Sequence, residues 1–302
     1  SIRIKDALRE RRMELWLQPI LPLRAEGRTY FEALVRLRDA DGKIVMPGQF
    51  LSAAENFGNM QQIDQFALYE AMNLLGAHPQ LALSINLSAR PLNHAQLPAV
   101  IERLLTAARI APERVLFEIT ETAMIQNLVQ ARQLIIAIKQ LGCRFALDDF
   151  GAGASSMLYL RDLPVDVLKI DGSFVREIAN SPVDLAMVKS INEMGHLLGK
   201  QTVAEFVEDE AALDLRPGGL EADVAAVGDA ARRDDEELGT QLGRLSGAVD
   251  RCDGQRDAVA AANQRAVDVP VRDVRRDPTL GKRACELLRH VAILERHERR
   301  KH

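Results

Sequence analysis

Residues 144 to 153 read RFALDDFGAG, an apolar run that ends in two adjacent aspartates and a glycine-rich turn. The length and apolar character of the run predict a buried β-strand. Burying one carboxylate without a partner is costly, so a single acid at such a place is usually half of a salt bridge. Asp148 and Asp149 are harder to explain in that way, because neighbouring carboxylates repel one another and only Lys169 and Arg36 lie in comparable strand contexts. The stretch therefore predicts a strand whose carboxyl end carries chemistry.

The same kind of run recurs before residue 213. Six further apolar, β-rich runs cover residues 15–21, 31–37, 81–87, 115–120, 167–171 and 201–207. Apolar residues at helical spacing separate several of them, over 63–75, 123–141 and 183–198. Alternating strands and helices predict a parallel sheet, and seven strands in about 200 residues favour an α/β barrel over an open sheet. The count stops one short of the eight strands of a complete barrel.

Polar side chains interrupt these runs, mostly near their carboxyl ends. Besides the aspartate pair they are Glu32, Asn86, Glu118, Glu121, Lys169, Asp171, Glu205 and Glu208. The carboxyl ends of barrel strands converge on one mouth, so these groups are expected to meet there. Divalent cations would neutralise their excess negative charge, and oxygen ligands with one amide suit Mg²⁺ or Mn²⁺ rather than zinc. Two metals bridged by a carboxylate form the usual clamp for displacement at phosphorus, which predicts a metal-dependent phosphodiester hydrolase.

The composition of the chain bears on its partners and on its location in the cell. Among 302 residues, 39 are Lys or Arg and 43 are Asp or Glu, and this balance gives no electrostatic argument for a DNA or RNA polymer as partner. No segment approaches ~20 uninterrupted apolar residues, so no membrane-spanning segment is predicted, and no signal peptide is evident. The three cysteines are widely spaced and odd in number, which fits a reducing compartment and predicts a cytoplasmic location.

The chain changes character near residue 213. Every Phe, Tyr, Trp and Met lies at or before Phe206, and the remainder is rich in Ala, Asp, Arg, Val and Gly. A core needs large side chains to fill it, and residues 214–302 have few. We therefore predict one domain over residues 1–213. The divergent region 214–302 is then either disordered or the product of a reading-frame change or recombination.

In these motifs the chain resembles the EAL-domain family of cyclic di-GMP-specific phosphodiesterases. The motif that names the family stands at Glu32-Ala33-Leu34, and the aspartate pair opens DDFGAGASS at 148–156. Asn86 lies in INLS, Glu118 and Glu121 in EITE, Lys169 in LKID, and Glu205 and Glu208 in AEFVE. The match covers roughly residues 10–213. The resemblance implies an α/β fold, a modified TIM-like (β/α) barrel whose first strand is antiparallel.

The resemblance also implies an activity and roles for the motif residues. Cyclic di-GMP would be hydrolysed to linear 5′-pGpG, which lowers a bacterial second messenger. Two Mg²⁺ or Mn²⁺ ions would be held by Glu32, Asn86, Glu118, Asp148, Asp149 and Glu205. Asp148 would bridge the ions, Lys169 would orient the attacking water, and Glu205 would be the general base. The catalytic residues that the resemblance implies are therefore Glu205, Lys169 and Glu32.

Further implications concern the substrate and the partners. The residues that would hold the substrate are Gln18, Arg36 and Glu208. Glu121 would brace the loop 151–156, whose ordering couples dimerisation to metal binding in the family, and this implies a homodimer. An upstream sensory or cyclase domain is expected, and the full-length parent could be tethered to a membrane.

Two features depart from the family pattern. Phe206 stands where the family has glycine, and its ring either crowds the mouth or packs outward against a helix. The family's eighth strand carries a Gln-Gly-Tyr-like motif, whereas residues 222–228 read ADVAAVG. The eighth strand is therefore expected to be missing, or replaced by a substitute at 222–227 whose composition is poor for a strand. Two alternatives to the enzyme follow: a catalytically impaired module that binds cyclic di-GMP or a protein, and a chain too incomplete to fold stably.

Overall fold

A computed structural model of the chain describes residues 4–22, 30–88, 96–152, 157–178, 180–207, 224–227 and 269–270. In this part of the chain all strands belong to one sheet. They are β1 (Met13–Pro22), β2 (Tyr30–Arg38), β3 (Ile44–Val45), β4 (Leu83–Asn86), β5 (Val115–Thr120), β6 (Arg144–Phe150), β7 (Val167–Ile170), β8 (Gln201–Val207), β9 (Val224–Val227) and β10 (Val269–Pro270). All seven predicted strands are present, three of them with the predicted bounds.

Eight of the described strands close into a barrel. In order around the barrel they are β1, β2, β4, β5, β6, β7, β8 and β9, and β9 returns to β1. β1 is antiparallel to both of its barrel neighbours, and the pairs from β2 round to β9 are parallel. The short strands β3 and β10 add antiparallel pairings to β2 and β1. The prediction of a modified TIM-like barrel with an antiparallel first strand is confirmed.

The closing strand is β9, which lies beyond the predicted boundary at residue 213. Its Val224 pairs in register with Val203 of β8, and its Ala226 with Ile20 of β1. Backbone hydrogen bonds make these ladders, so a run of valine and alanine can form them despite its weak strand composition. The eighth strand is therefore replaced rather than missing. The predicted disorder or frame change of 214–302 concerns residues that lie almost entirely outside the described ones, and it stays a prediction.

Helices connect most of the strands. They are α1 (Ile4–Arg9), α2 (Pro47–Asn56), α3 (Met60–Ala77), α4 (Leu97–Ala108), α5 (Glu121–Gln126), α6 (Leu128–Gln140), α7 (Met157–Leu160), α8 (Gly172–Val175) and α9 (Pro182–Leu197). The predicted helix over 183–198 corresponds to α9, whose first turn is capped by the Ser181 hydroxyl. The continuous helix predicted over 123–141 is wrong, because Asn127 leaves helical geometry and its side chain caps α6. Within the described residues, no helix combines the length and apolarity needed to cross a membrane.

Alternation along the strands stacks two layers of side chains inside the barrel. The lower layer is an apolar cluster of Ile20, Tyr30, Ala82, Leu116, Ala146, Val167 and Val203. Two positions nearer the mouth, the same seven segments carry Gln18, Glu32, Ser84, Glu118, Asp148, Lys169 and Glu205. Side chains two apart on a strand face the same way, so an apolar layer lies beneath a polar one. The opposite faces of the strands, with Phe117, Phe145 and Leu147, belong to the larger core that the helices cover.

Candidate active site

Lys169 of β7 is the centre of the polar layer. Its side chain is 1% exposed, and its Nζ contacts four carboxylates from four other strands. Nζ lies 2.8 Å from Glu118 Oε2, 2.8 Å from Glu205 Oε1, 3.0 Å from Asp148 Oδ1 and 3.3 Å from Glu32 Oε2. One ammonium group balances only one of four carboxylates, so the cluster can accept further positive charge.

This crowding shifts the ionisation of the whole group. Burial by itself lowers the pKa of Lys169, but Asp148, Glu118, Glu32 and Glu205 together raise it well above its ordinary value. Burial raises the pKa of Glu205 to about 8, opposed by Lys169 and reinforced by Asp148 and Glu32. Burial also raises the pKa of Glu118 well above its ordinary value, again opposed by Lys169. Protons would therefore occupy some of these oxygens at neutral pH when no cation does.

A β-bulge turns both adjacent aspartates toward the site. The pairing of β6 with β7 shifts between Leu147 and Phe150, and Asp149 has a left-handed backbone with φ of 54°. Adjacent side chains of a regular strand face opposite sides, and a bulge relaxes that rule. Carboxylate oxygens of Asp148, Asp149 and Glu205 consequently lie within 4.8 Å of one another. Three acid oxygens at this separation suit a divalent cation.

The other predicted metal ligands stand on β2, β4 and β5. Asn86 Nδ2 donates a hydrogen bond to Glu32 Oε1 at 2.8 Å, and β4 places Asn86 in register with Glu118. The Ser84 hydroxyl donates to Glu118 Oε1. Ser84 was not predicted, although its position two residues before Asn86 puts it on the same face of the strand. All six predicted metal ligands therefore lie in or beside one polar layer, and their role toward a metal stays a prediction.

Glu121, the first residue of α5, contacts both sides of the segment that follows β6. Its Oε2 accepts a hydrogen bond from the Gly151 N–H at 3.0 Å, and its Oε1 accepts one from the Tyr159 hydroxyl. A brace for the loop 151–156 needs this geometry, although residues 153–156 lie outside the described ones. Tyr159 was not predicted, because a tyrosine in a helical segment carries no local sign of a distant partner.

Comparison with known protein families identifies the family of this chain. Residues 2–216 match the EAL domain. The chain belongs to the EAL domain family. The match ends close to the predicted boundary at residue 213, and β9, which completes the EAL barrel here, lies beyond it.

Curated relatives are similar to this EAL domain over the same region. The cyclic di-GMP phosphodiesterase PdeB of Shewanella oneidensis is 40% identical over 219 residues, which cover 71% of this chain and 26% of PdeB. The cyclic di-GMP phosphodiesterase NbdA of Pseudomonas aeruginosa is 36% identical over 211 residues, which cover 68% of this chain and 27% of NbdA. The chain thus spans about a quarter of the length of these two relatives.

Solved structures share the EAL fold. The PaMucR phosphodiesterase in complex with c-di-GMP matches with a TM-score of 0.69 and 31% identity, over 78% of this chain and 97% of that chain. The FimX EAL domain from Pseudomonas aeruginosa bound to c-di-GMP matches with a TM-score of 0.69 and 31% identity, over 74% of this chain and 91% of that chain. The barrel described above is therefore an EAL-domain barrel.

The structure describes two of the three residues predicted to hold the substrate of the EAL domain. Gln18 pairs in register with Glu32 across β1 and β2. Arg36 is 2% exposed, and its guanidinium carbon lies 5.7 Å from the centroid of the Trp16 ring. Glu208 lies outside the described residues. The roles of all three toward a substrate stay predictions.

Phe206, the departure from the EAL pattern, packs against a helix. It has a left-handed backbone with φ of 53°, at an irregularity in the pairing of β8 with β9. Its ring lies against Gly172, the first residue of α8. The positive φ gives a physical reason for the family's glycine at this position, because glycine adopts this conformation without steric cost. The ring thus packs on the short helix α8, which follows the carboxyl end of β7.

Proposed function

We propose that this EAL domain hydrolyses cyclic di-GMP to linear 5′-pGpG in a reaction that depends on two Mg²⁺ or Mn²⁺ ions. The observation that carries the proposal is the arrangement of Glu32, Glu118, Asp148 and Glu205 around one buried lysine. Similarity to relatives named cyclic di-GMP phosphodiesterases supports the choice of substrate. Similar domains solved with c-di-GMP bound support it as well.

The donor set fits divalent cations. One group of oxygens comes from Asp148, Asp149 and Glu205, within 4.8 Å of one another. A second group comes from the neighbouring strands β2, β4 and β5 and consists of Glu32, Asn86 and Glu118. Bound cations would lower the pKa of the attacking water and stabilise the charge that develops on phosphorus. Metal binding would also displace the protons that the raised pKa values of Glu205 and Asp149 indicate.

The side chains of the site would have different roles in the reaction. Lys169 would hold the carboxylates in place and donate a hydrogen bond to the attacking water. Glu205, whose Oε1 lies 2.8 Å from Lys169 Nζ, would accept the proton that this water loses. Gln18 and Arg36 would hold the dinucleotide, Arg36 through the attraction of its guanidinium group for phosphate.

A second candidate function is a module that binds cyclic di-GMP or a protein without turning it over. Two changes next to Glu205 favour this candidate: phenylalanine at position 206, and a closing strand that reads VAAV without a polar side chain. Against it, every predicted metal ligand on β2 to β8 has the residue type that the chemistry requires. The enzyme is therefore the first proposal.

Incubation of the purified protein with cyclic di-GMP and Mg²⁺ or Mn²⁺ separates the two candidates. We expect linear 5′-pGpG as the product, measured by chromatography, and its loss when EDTA is added. Glu32→Ala should abolish turnover. Asp162→Asn, an exposed change in the segment before β7 and so at the opposite end of the barrel, should leave turnover unchanged. Binding of cyclic di-GMP without any linear product would reject the enzyme in favour of the binding module.

The proposal extends to the assembly. We infer a homodimer formed through the face beside the loop 151–156, within a longer cytoplasmic protein that carries a sensory or cyclase domain and can be tethered to a membrane. The Glu121 contacts to Gly151 and Tyr159, which lie on either side of residues 153–156, support this inference. Light scattering at micromolar concentration tests the dimer, and a monomeric mass under conditions that support turnover would reject it.

A further inference from the structure

We propose that Phe206 is a positioning residue that fixes the direction of the Glu205 side chain. The inference rests on the proposed place of Glu205 among the metal ligands. It explains how this chain holds that carboxylate with phenylalanine at position 206, where the family normally has glycine.

Glu205 and Phe206 share an irregular piece of backbone. The pairing of β8 with β9 shifts between Ala204 and Val207, and Phe206 has φ of 53°. A left-handed conformation is unfavourable for a residue with a Cβ, so it persists only where the surrounding contacts hold it. The peptide that links the two residues moves with this conformation. Whatever holds Phe206 therefore also sets where Glu205 points.

The contacts of the ring supply that hold. A Cβ built on Gly172 would come within 2.7 Å of Cγ and 2.8 Å of Cε2 of the Phe206 ring, so the ring fills the space beside the Gly172 backbone. The guanidinium carbon of Arg176 lies 4.1 Å from the centroid of the same ring. This separation is that of a favourable cation–π interaction. The ring is thus held by Gly172, the first residue of the short helix α8, and by Arg176, the residue that follows it.

The helix that contacts the ring, α8, begins two residues after the end of β7, the strand that carries Lys169. Gly172 comes three residues after Lys169, whose Nζ lies 2.8 Å from Glu205 Oε1. Glu205 is therefore tied to one stretch of chain at two points: directly through its carboxylate, and indirectly through the ring of the next residue. A carboxylate that is already fixed loses less conformational freedom when it binds an ion, and this strengthens binding.

Calorimetric titration with Mn²⁺ tests the positioning role without any substrate. Phe206→Gly should weaken Mn²⁺ binding by about tenfold, the lower end of the effect of residues that orient metal ligands. Phe206→Tyr keeps the ring and should bind Mn²⁺ like the parent protein. In turnover assays Phe206→Gly should lower kcat and leave the KM for cyclic di-GMP nearly unchanged. Arg176→Ala, an exposed change that removes only one contact of the ring, should weaken Mn²⁺ binding by about two- to fivefold.

Gly172→Ala tests the packing itself. In the parent protein the added methyl group overlaps the Phe206 ring, so both Tm and Mn²⁺ affinity should fall. In a Phe206→Gly background the space is open, and Gly172→Ala should have little further effect. Gly48→Ala in α2 is the matched control, because a Cβ there meets nothing within 4 Å. It should leave Mn²⁺ affinity unchanged in both backgrounds and should not lower Tm in either, because alanine favours a helix more than glycine does.

Glu205→Gln separates this inference from the proposed function. If Glu205→Gln leaves Mn²⁺ binding unchanged, the assignment of Glu205 as a ligand fails, and the inference fails with it. If Glu205→Gln weakens binding while Phe206→Gly and Arg176→Ala do not, only the positioning role is overturned. An equal effect of Gly172→Ala in the presence and absence of the ring would overturn the packing argument.

Discussion

Lys169 lies among four carboxylates, and one of them, Glu118, has a side chain that is 0% exposed. Without the ammonium group these acids would face one another in a buried layer, and breaking a buried ion pair by removing one partner costs about 3–5 kcal/mol. In EDTA, Lys169→Met should therefore lower the free energy of unfolding by about that amount, while Mn²⁺ should restore part of the loss. Urea denaturation with and without Mn²⁺ measures both effects.

Lys139 offers a matched control for that substitution. Its Nζ lies 2.6 Å from Asp166 Oδ1, but the two side chains are 31% and 27% exposed. Solvent screens such a pair, so Lys139→Met should cost less than about 1 kcal/mol. A Lys169→Met protein as stable in EDTA as Lys139→Met would contradict the charge balance argued for the site.

Asp64 of α3 predicts a dependence of stability on pH. It is buried, and it accepts a hydrogen bond from the Ser88 hydroxyl. Burial raises its pKa from 3.8 to about 6, against the lowering effect of Ser88. Since the pKa is higher in the folded state, this contribution to stability is complete below the unfolded value and is lost as the pH rises through about 6. Relative to Asp64→Asn, the parent protein should lose about 2 kcal/mol between about pH 4 and pH 8.

Urea denaturation of both proteins across that pH range measures the difference. Asp41→Asn removes one carboxylate at an exposed turn and is the matched control for the change in net charge. A constant difference between the parent protein and Asp64→Asn from acid to neutral pH would contradict the raised pKa.

Polar residues that the fold brings together differ in how far the sequence predicts them. Asp148 and Lys169 could be predicted because a charge inside an apolar strand needs a partner or a metal. Asp64, Ser84 and Tyr159 could not, because each depends on a hydrogen bond to a residue far away in the sequence. Polar residues with distant partners look like ordinary surface residues until the fold brings the partners together.

Among the elements, the junction of α5 and α6 shows where a periodic pattern misleads. Apolar spacing continues through Asn127, yet its side chain accepts a hydrogen bond from the Gln130 N–H and begins a new helix. Loss of such a cap costs about 1 kcal/mol. Asn127→Ala should therefore lower the free energy of unfolding by about 1 kcal/mol, whereas Asn127→Ser, which can also cap, should cost less. Thermal unfolding measures both, and an Asn127→Ala protein at least as stable as the parent would favour one continuous helix.

Strands were predicted better than their irregularities. The runs at Val115–Thr120, Arg144–Phe150 and Gln201–Val207 have the predicted bounds because buried parallel strands are continuous apolar segments. The bulges at Asp149 and near Phe206 escaped prediction, since they depend on backbone conformations that neither residue favours by itself. These bulges place acids at the mouth, so the functional detail lies where local sequence rules fail.

For the whole molecule, the decisive feature is closure by a strand outside the family match. The match ends at residue 216, and β9 begins at Val224. Four residues of valine and alanine have almost no strand signal of their own, so the closing strand could be considered from the sequence but not favoured. Its position follows from the two open edges that β1 and β8 would otherwise present, because unpaired strand edges attract any extended segment.

Removal of that segment tests whether closure matters. A chain that ends at residue 213 keeps β1 to β8 and exposes the edges of β1 and β8, so it should melt at a lower temperature, aggregate more readily and bind Mn²⁺ more weakly. A chain that ends at residue 270 keeps β9 and β10 and should have a higher Tm and bind Mn²⁺ more tightly than the shorter chain. Within the full chain, Ala225 pairs in register with Leu21 and Ala204, and Ala225→Pro removes its backbone N–H and should lower Tm. If the chain ending at residue 213 keeps the Tm and Mn²⁺ affinity of the full chain, β9 contributes nothing to the stable fold. The EAL barrel would then hold its site on seven strands.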